Sequence, residues 1–343
     1  MTIVIFILIL GGIIFIHELG HFLFAKKFGI YVYEFSIGFG PKIYSFKRKN
    51  DETEYMIKLI PLGGYVLMAG EDSDDDKVKD DMKLYNKKTY QRFLVMFAGV
   101  LNNFILGFVL LFIIGLIYGS IHTTNLLDNI PTNGSLYEAG ARNGQRVVKI
   151  NNNKVKNYDD IQTYLALATE KDKQASISIT IKDDTTENVY NIKPKKEKDG
   201  KYYYGIGVKI ERRTGIINAL IYAKDKFLSI YKSLVLIIKS LFTGQLGVNS
   251  LSGPVGIYGV VDSVKSSLQM ILYLTAYLSI NIGFMNIIPF PAFDGGRILF
   301  LIIEKIKGSR LNPKFETYAN FIGFIILMGL MILVTIKDII KLF

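Results

Sequence analysis

Residues 13–24 read Ile13-Ile-Phe-Ile-His17-Glu18-Leu-Gly-His21-Phe-Leu-Phe24, three ionisable side chains inside an otherwise apolar stretch. On a helix, positions i and i+4 share a face. His17 and His21 therefore offer two imidazole nitrogens to one Zn²⁺, at about 2.0–2.1 Å each. Glu18, beside the first histidine, is placed to take a proton from the attacking water. In a soluble helix so short a motif also arises by chance. At bilayer depth two histidines and a glutamate are costly, and such groups mark function. The metal-site reading is preferred on that ground.

The surrounding composition supports a membrane setting. Half of the 343 residues are apolar, and they cluster in runs of about 18 or more that ordinary soluble domains do not carry. The net charge of +11 does not point to nucleic acid, because the lysines are scattered and no nucleic-acid motif is present. Basic loops beside membrane spans give the same total. With no cysteine, disulfides and all-Cys metal sites are excluded. His17, His21 and His122 are the only histidines, so a further zinc ligand is expected to be a carboxylate. The N-terminus has neither a basic leader nor a small-residue cleavage site, and it carries the motif itself. It reads as a retained span.

Residues 2–24 form the first expected span, followed by Lys26 and Lys27, which the positive-inside rule puts in the cytoplasm. The N-terminus is then outside, and residues 17–21 lie toward the cytoplasmic face. Residues 30–70 read as a non-helical region: Gly-rich turn chemistry over 36–41, strands at 43–46 and 54–59, and an apolar stretch at 61–67. A hairpin dipping toward the site fits, with one sheet edge free to pair with an unwound substrate strand, as in β-augmentation; a purely structural hairpin fits equally. The acid-rich run 71–81 reads as a solvated loop. Residues 93–119 are the second span, where Asn102 and Asn103 are expected to bond between helices.

Residues 125–210 turn polar, with the alternating strand 176–182, a strand at 146–150 and helices at 135–139 and 158–168. They suit one small α+β domain. Residues 215–243 are apolar but carry Lys224, Asp225, Lys226, Lys232 and Lys239. They fit either a further span or an interfacial amphipathic helix. The next span, 267–288, ends in Asn286-Ile-Ile-Pro289-Phe-Pro-Ala-Phe-Asp294-Gly-Gly-Arg297. Pro289 and Pro291 forbid a regular helix there. Asp294 either caps the following helix or supplies the third zinc ligand, leaving the fourth position open for water. Beside two histidines the ligand reading is preferred. For Asp294 to reach the same face, no single crossing can occur at 215–243, which selects the interfacial helix. Residues 298–316 are a basic cytoplasmic loop, and 318–336 the fourth span.

The combination of HELGH, the segment 286–296 and Leu251-Ser-Gly-Pro-Val-Gly-Ile257 resembles the bacterial site-2 protease family, the intramembrane zinc metalloproteases of regulated proteolysis. The resemblance covers nearly the whole chain. Gly38-Phe-Gly40 and Pro61–Val66 resemble that family's membrane-associated β-region, and 134–155 its extracytoplasmic PDZ domain. By position it implies His17, His21 and Asp294 as zinc ligands and Glu18 as the catalytic glutamate. It further implies Asn286, Asn281, Gly38, Gly40 and Pro289 as substrate-binding residues. Phe293, Val100 and Arg297 depart from its usual residues, and Arg297 excludes a fourth protein ligand after the glycine pair.

The expectation is a multi-span α-helical membrane protein of four transmembrane helices, with a membrane-associated β-region and one extracytoplasmic PDZ-like domain. Its parts are a membrane core over 1–119, the PDZ-like domain over 125–210, the interfacial helix 215–243 and a second membrane core over 244–343. The resemblance implies one Zn²⁺, single-span membrane proteins such as anti-sigma factors or signal-peptide remnants as substrates, and a bacterial cell-membrane location. A PDZ scaffold without catalysis is one rival; it leaves Glu18 and Asp294 unexplained. A metal transporter is the other; it calls for polar residues along several spans and for internal repeats, and neither is seen.

Overall fold

Four segments lack enough polar side chains to be helices in water, and in the computed structural model they are long helices. These are α1 (Thr2–Lys27), α2 (Thr89–Ile117), α7 (Leu268–Ile287) and α9 (Pro313–Ile340), each long and apolar enough to cross a membrane. The structure describes residues 1–71, 77–170, 172–184, 186–196 and 202–341, apart from the side chains at 61, 62 and 248. Residues 72–76 of the acid-rich run lie outside the described residues. The last helix begins five positions before the expected 318, because Pro313 suits a first helical turn and Asn312 caps it, accepting from the Lys314 N–H at 3.0 Å. Most of α9 is exposed along its apolar length. Phe321, Ile322, Ile325 and Ile326 face outward, a surface suited to lipid.

The remaining elements are β1 (Val32–Lys47), β2 (Glu54–Met68), β3 (Ser120–Leu127), α3 (Ser135–Glu138), β4 (Arg146–Ile150), β5 (Asn153–Lys154), α4 (Tyr158–Thr169), β6 (Ile177–Asp183), β7 (Thr186–Ile192), β8 (Lys195–Lys196), β9 (Tyr202–Tyr203), β10 (Val208–Arg213), α5 (Ile216–Phe242), α6 (Pro254–Val264) and α8 (Asp294–Lys307). They fall into two units, one of residues 1–111 with 252–343, the other of residues 112–251.

In the first unit, Phe6, Ile9 and Ile13 of α1 pack with Val261 of α6 and with Leu274 and Leu278 of α7. In a bilayer such contacts stabilise through close packing rather than through removal from water. The expected strands at 43–46 and 54–59 are both longer than their pattern suggested. Gly38 and Gly40, at φ 90° and 83°, bend β1 without ending it. As a result Phe35 has two partners, Val66 on one side and Tyr55 on the other. The start of β1 thus lies between two stretches of β2. Lys26, at the end of α1, donates to Asp51 at 2.8 Å and Glu52 at 2.7 Å, tying the β1–β2 turn to the HELGH helix.

In the second unit an antiparallel sheet runs in the order β10-β3-β4-β6-β7, with β5 beside β4. Ile177, Ile179 and Ile181 of β6 are buried against Leu136, Ile150 and Ile161, as the alternation of that strand requires. Asn157 caps α4 by accepting the Asp160 N–H at 3.0 Å. The helix α5 is not among those apolar enough to cross a membrane. Lys226 donates to both oxygens of Asp159, at 2.7 and 2.8 Å, and Lys232 to Asp160 at 2.6 Å, which joins α5 to α4.

Candidate metal centre

The helical spacing of His17 and His21 sets both imidazoles on one side of α1, where both are buried. Their Nε2 atoms stand 3.2 Å apart. The carboxylate that meets them comes from the far end of the same unit. After α7 the two prolines stop the helix, and the chain doubles back through short turns, with Phe290 N–H to Ile288 O at 2.7 Å and Phe293 N–H to Phe290 O at 3.1 Å. The turn closes only because glycine follows. A β-carbon on Gly295 would sit 2.3 Å from Ile287 O, and one on Gly296 2.4 Å from Phe290 O. Ala292 adopts φ 78° in the same turn. Phe293 takes the cap position of α8, and Asp294 makes no capping bond. Instead its Oδ2 lies 3.1 Å from His17 Nε2 and 3.5 Å from His21 Nε2.

This arrangement can be tested as a cation site. One ligand atom from each of the three residues lies within 4.8 Å of the others. Asp294 Oδ2 is buried with no hydrogen-bond donor among the described residues, an arrangement that costs on the order of 1–3 kcal/mol unless something positive meets the oxygen. His21 Nδ1 stands 2.8 Å from Val95 O. A proton donated there leaves the Nε2 lone pair directed at the cluster, the usual second bond of a ligating histidine. The Nδ1 of His17 faces the buried Asn103 amide at 3.3 Å. Two imidazole lone pairs and a carboxylate so close would repel one another without a cation. Two nitrogens and one oxygen are also a catalytic zinc donor set. The backbone leaves room for it at Gly99, where a β-carbon would come 2.4 Å from His21 Nε2 and 2.8 Å from His17 Nε2. The residues present fit a zinc ion.

Around this cluster lies a cavity of about 560 Å³, lined by Glu18, Asn286, Ala292, Arg297 and the Gly63–Met68 stretch of β2. A β-carbon on Gly64 would touch Glu18 Cγ at 3.3 Å, so β2 passes directly beside the glutamate. Of the residues expected from sequence, His17, Glu18, His21, Asp294 and Asn286 come together here. Asn281 sits further back in α7 and does not line the cavity. Gly38 and Gly40 flank Phe39, which does line it, and Pro289 belongs to the turn before α8. Glu71, read from sequence as the head of a solvated loop, is instead mostly buried, lines the cavity and pairs with Arg297. Gly99, Asn103 and the Val95 carbonyl, all on α2, were not foreseen as parts of the site. An amide and a glycine in an apolar span were the available signals, and Asn103 was read as helix–helix glue.

Comparison with known proteins gives concordant matches. Residues 5–330 match peptidase family M50. The chain is 32 % identical over 423 residues to RasP, the regulator of sigma-W protease of Bacillus subtilis, with 100 % of this chain and 99 % of that protein covered. It is 32 % identical over 422 residues to the zinc metalloprotease RasP of Bacillus licheniformis, with the same coverage.

Proposed function

The chain belongs to peptidase family M50, a zinc metalloprotease with the apolar helices of a multi-pass membrane protein, and from that premise we propose that His17, His21 and Asp294 hold the zinc and Glu18 moves the proton during peptide hydrolysis. The observation that carries this reading is the convergence of the two Nε2 atoms on Asp294 Oδ2, which no other group satisfies among the described residues.

When bound, zinc supplies Lewis-acid polarisation of the scissile carbonyl and of the attacking water. The chain's own residues do the rest. Glu18 accepts the water's proton and later delivers it to the leaving amine. Val95 O and Asn103 hold the imidazoles in orientation through their Nδ1 atoms. Asn286 presents its amide to the substrate backbone beside Glu18.

The substrate reading follows from placement within the apolar helices. A peptide helix hides its carbonyls in its own hydrogen bonds, so the substrate must unwind to be cut. The Gly63–Met68 stretch of β2 pairs on one side with the start of β1 and lines the cavity, which suits it to receive an unwound strand. We assign as substrates single-span membrane proteins of the anti-sigma-factor type and signal-peptide remnants. The relative whose name marks it as a regulator of sigma-W protease supports this class. In the same reading the second unit is a PDZ-like domain on the extracytoplasmic side, α5 lies along the membrane interface, and the metal faces the cytoplasmic half of a bacterial cell membrane.

The test is cleavage of a single-span substrate by purified protein, wild type against Glu18→Gln, with zinc assayed in both. A variant that keeps zinc and loses cleavage supports the assignment. Equal cleavage by both proteins refutes the role of Glu18.

A further inference from the structure

Hydrolysis breaks the peptide C–N bond. The water's oxygen joins the acyl carbon, its two protons end on the leaving amine, which departs as an ammonium, and a new carboxylate remains on the N-terminal fragment. That anion forms inside a cavity which must then let it go.

Among the described residues lining the cavity, Arg297 is the one cationic side chain besides the histidines. It lies three positions past Asp294 on α8 and so on the same helix face. It shares the cavity wall with Glu18 and Asn286. Its Nη1 pairs with Glu71 Oε1, while a third of its side chain, 33 %, stays exposed. A guanidinium carries five N–H donors. A contact through one nitrogen therefore leaves others able to grip a second carboxylate. A guanidinium two-thirds withdrawn from water loses part of its hydration, which gives Glu71 a reason to sit there between turnovers. Glu71 and Arg297 also border an adjoining cavity lined by Arg92, Arg310 and Glu316. Arg92 in that cavity is taken up by Glu304 at 2.6 Å.

We propose that Arg297 is the subsite for the carboxylate created at each cleavage, with Glu71 as the counterion that the product replaces. The inference rests on the zinc-protease reading above and deepens it. A fork of charge-assisted hydrogen bonds to Arg297 draws the new C-terminus away from the zinc ligands and so promotes release. The plain alternative is that the Arg297–Glu71 pair only ties α8 to the segment after β2.

The experiment uses purified full-length protein with its zinc. A single-span substrate is cleaved and its N-terminal fragment identified by mass spectrometry. That fragment is synthesised twice, ending in a carboxylate or in a carboxamide, and binding of each is measured by calorimetry. In wild type the acid is expected to bind about tenfold or more tighter than the amide. In Arg297→Gln the ratio should fall by about fivefold or more, to the remainder contributed by the metal. In Glu71→Gln, where the guanidinium has lost its competitor, the ratio should widen. An unchanged ratio in Arg297→Gln, or a ratio that stays or narrows in Glu71→Gln, overturns the proposal. Should Arg297→Gln fail to fold or retain zinc, Glu71→Gln decides alone. Absence of cleavage by wild type would instead overturn the zinc-protease reading, and this inference with it.

Discussion

Gly99 of α2 lies so close to His21 of α1 that a β-carbon on it would stand 2.4 Å from the imidazole Nε2. The helices meet there with backbone nearly on backbone, as a β-carbon on Gly20 would likewise fall 2.4 Å from Ala98 O. Small residues at a helix crossing allow this approach in a membrane. At Gly99 they do more, since the space spared is the space between the two Nε2 atoms.

Gly99→Ala therefore separates stability from metal binding. Alanine is a better helix former than glycine by about 1 kcal/mol, so helix content should not fall. The added methyl pushes on both imidazoles, and bound zinc should drop about tenfold or more, with cleavage falling alongside. Zinc analysis of the purified variant checks this. Full zinc occupancy in Gly99→Ala would mean that the metal is held elsewhere.

Asn103 is fully buried in α2 with its amide at His17 Nδ1. The amide nitrogen Nδ2 faces His17 Nδ1, and Oδ1 has no partner among the described residues. The flipped amide satisfies both, its oxygen accepting the Nδ1 proton so that Nε2 is free for the metal. Asn103→Leu fills a similar volume and removes the acceptor. Zinc affinity should fall by about 10- to 100-fold, measured by competition with a chromogenic chelator. Asn102, whose amide donates to Ile16 O at 3.1 Å, ties α2 to α1 and offers nothing to the imidazoles. Its leucine variant should lose far less affinity. Equal losses at the two positions would make the Asn103 effect one of helix packing.

These contrasts explain what was legible in the sequence. His17, Glu18 and His21 stand out because a charge cluster in an apolar helix needs a reason, and their spacing alone puts both histidines on one face. Asp294 could be proposed because two prolines and two glycines announce a broken helix, and because two histidines leave a three-ligand site one short; the crossings were then chosen to suit it. Gly99 and Asn103 could not be read, since their role depends on which residue of α1 each one faces. Alternation likewise reveals a strand but not its neighbours. The hairpin was expected to offer one free edge, but the pattern could not say which: Tyr55 is paired with both Phe35 and Phe46, and the cavity is met by Gly63–Met68. The Leu251–Ile257 motif carried resemblance without a mechanism. Its Gly253 and Gly256 N–H groups donate to Asp338 Oδ2 at 2.7 and 2.9 Å, a partner found at the end of α9.

The turn that Lys26 holds should show a defined pH response. Burial works to raise the Asp51 carboxyl, but hydrogen bonds from Lys26, the Thr53 N–H and Tyr55 outweigh it and keep Asp51 well below the usual carboxylate range. Glu52 is lowered in the same way by Lys26, again against burial. A depressed folded-state pKa gives stability that is complete above the unfolded value, about 4, and that is lost as pH falls through the folded one. The contribution of this turn, read as the difference in melting temperature between wild type and Lys26→Met, should therefore stay constant from pH 7 to about 5 and be lost progressively below about 4. Lys26→Met should melt lower at neutral pH, and its deficit relative to wild type should shrink as the acid limit is approached. A deficit independent of pH would show that Lys26 contributes through packing alone.

The turn before Asp294 gives the sharpest test of how the carboxylate is aimed. Ala292 holds φ 78°, a conformation that L residues avoid, and its N–H reaches Asn320 Oδ1 at 3.3 Å. Strain of this kind costs on the order of 1–3 kcal/mol and persists only where the surroundings impose it. Here Pro291 fixes the preceding residue, and Gly295 and Gly296 admit the chain beneath Ile287 and Phe290. Glycine at 292 adopts the same φ freely, so Ala292→Gly should keep its zinc and match or exceed the wild-type melting temperature. Valine cannot adopt it without crowding, so Ala292→Val should lose about 1–3 kcal/mol of stability. Because the turn is what carries Asp294 to the histidines, zinc should be lost from the valine variant at temperatures where its helices remain folded by circular dichroism. If Ala292→Val binds zinc as tightly as wild type, Asp294 reaches the metal without the left-handed turn, and the strain at 292 has no part in aiming it.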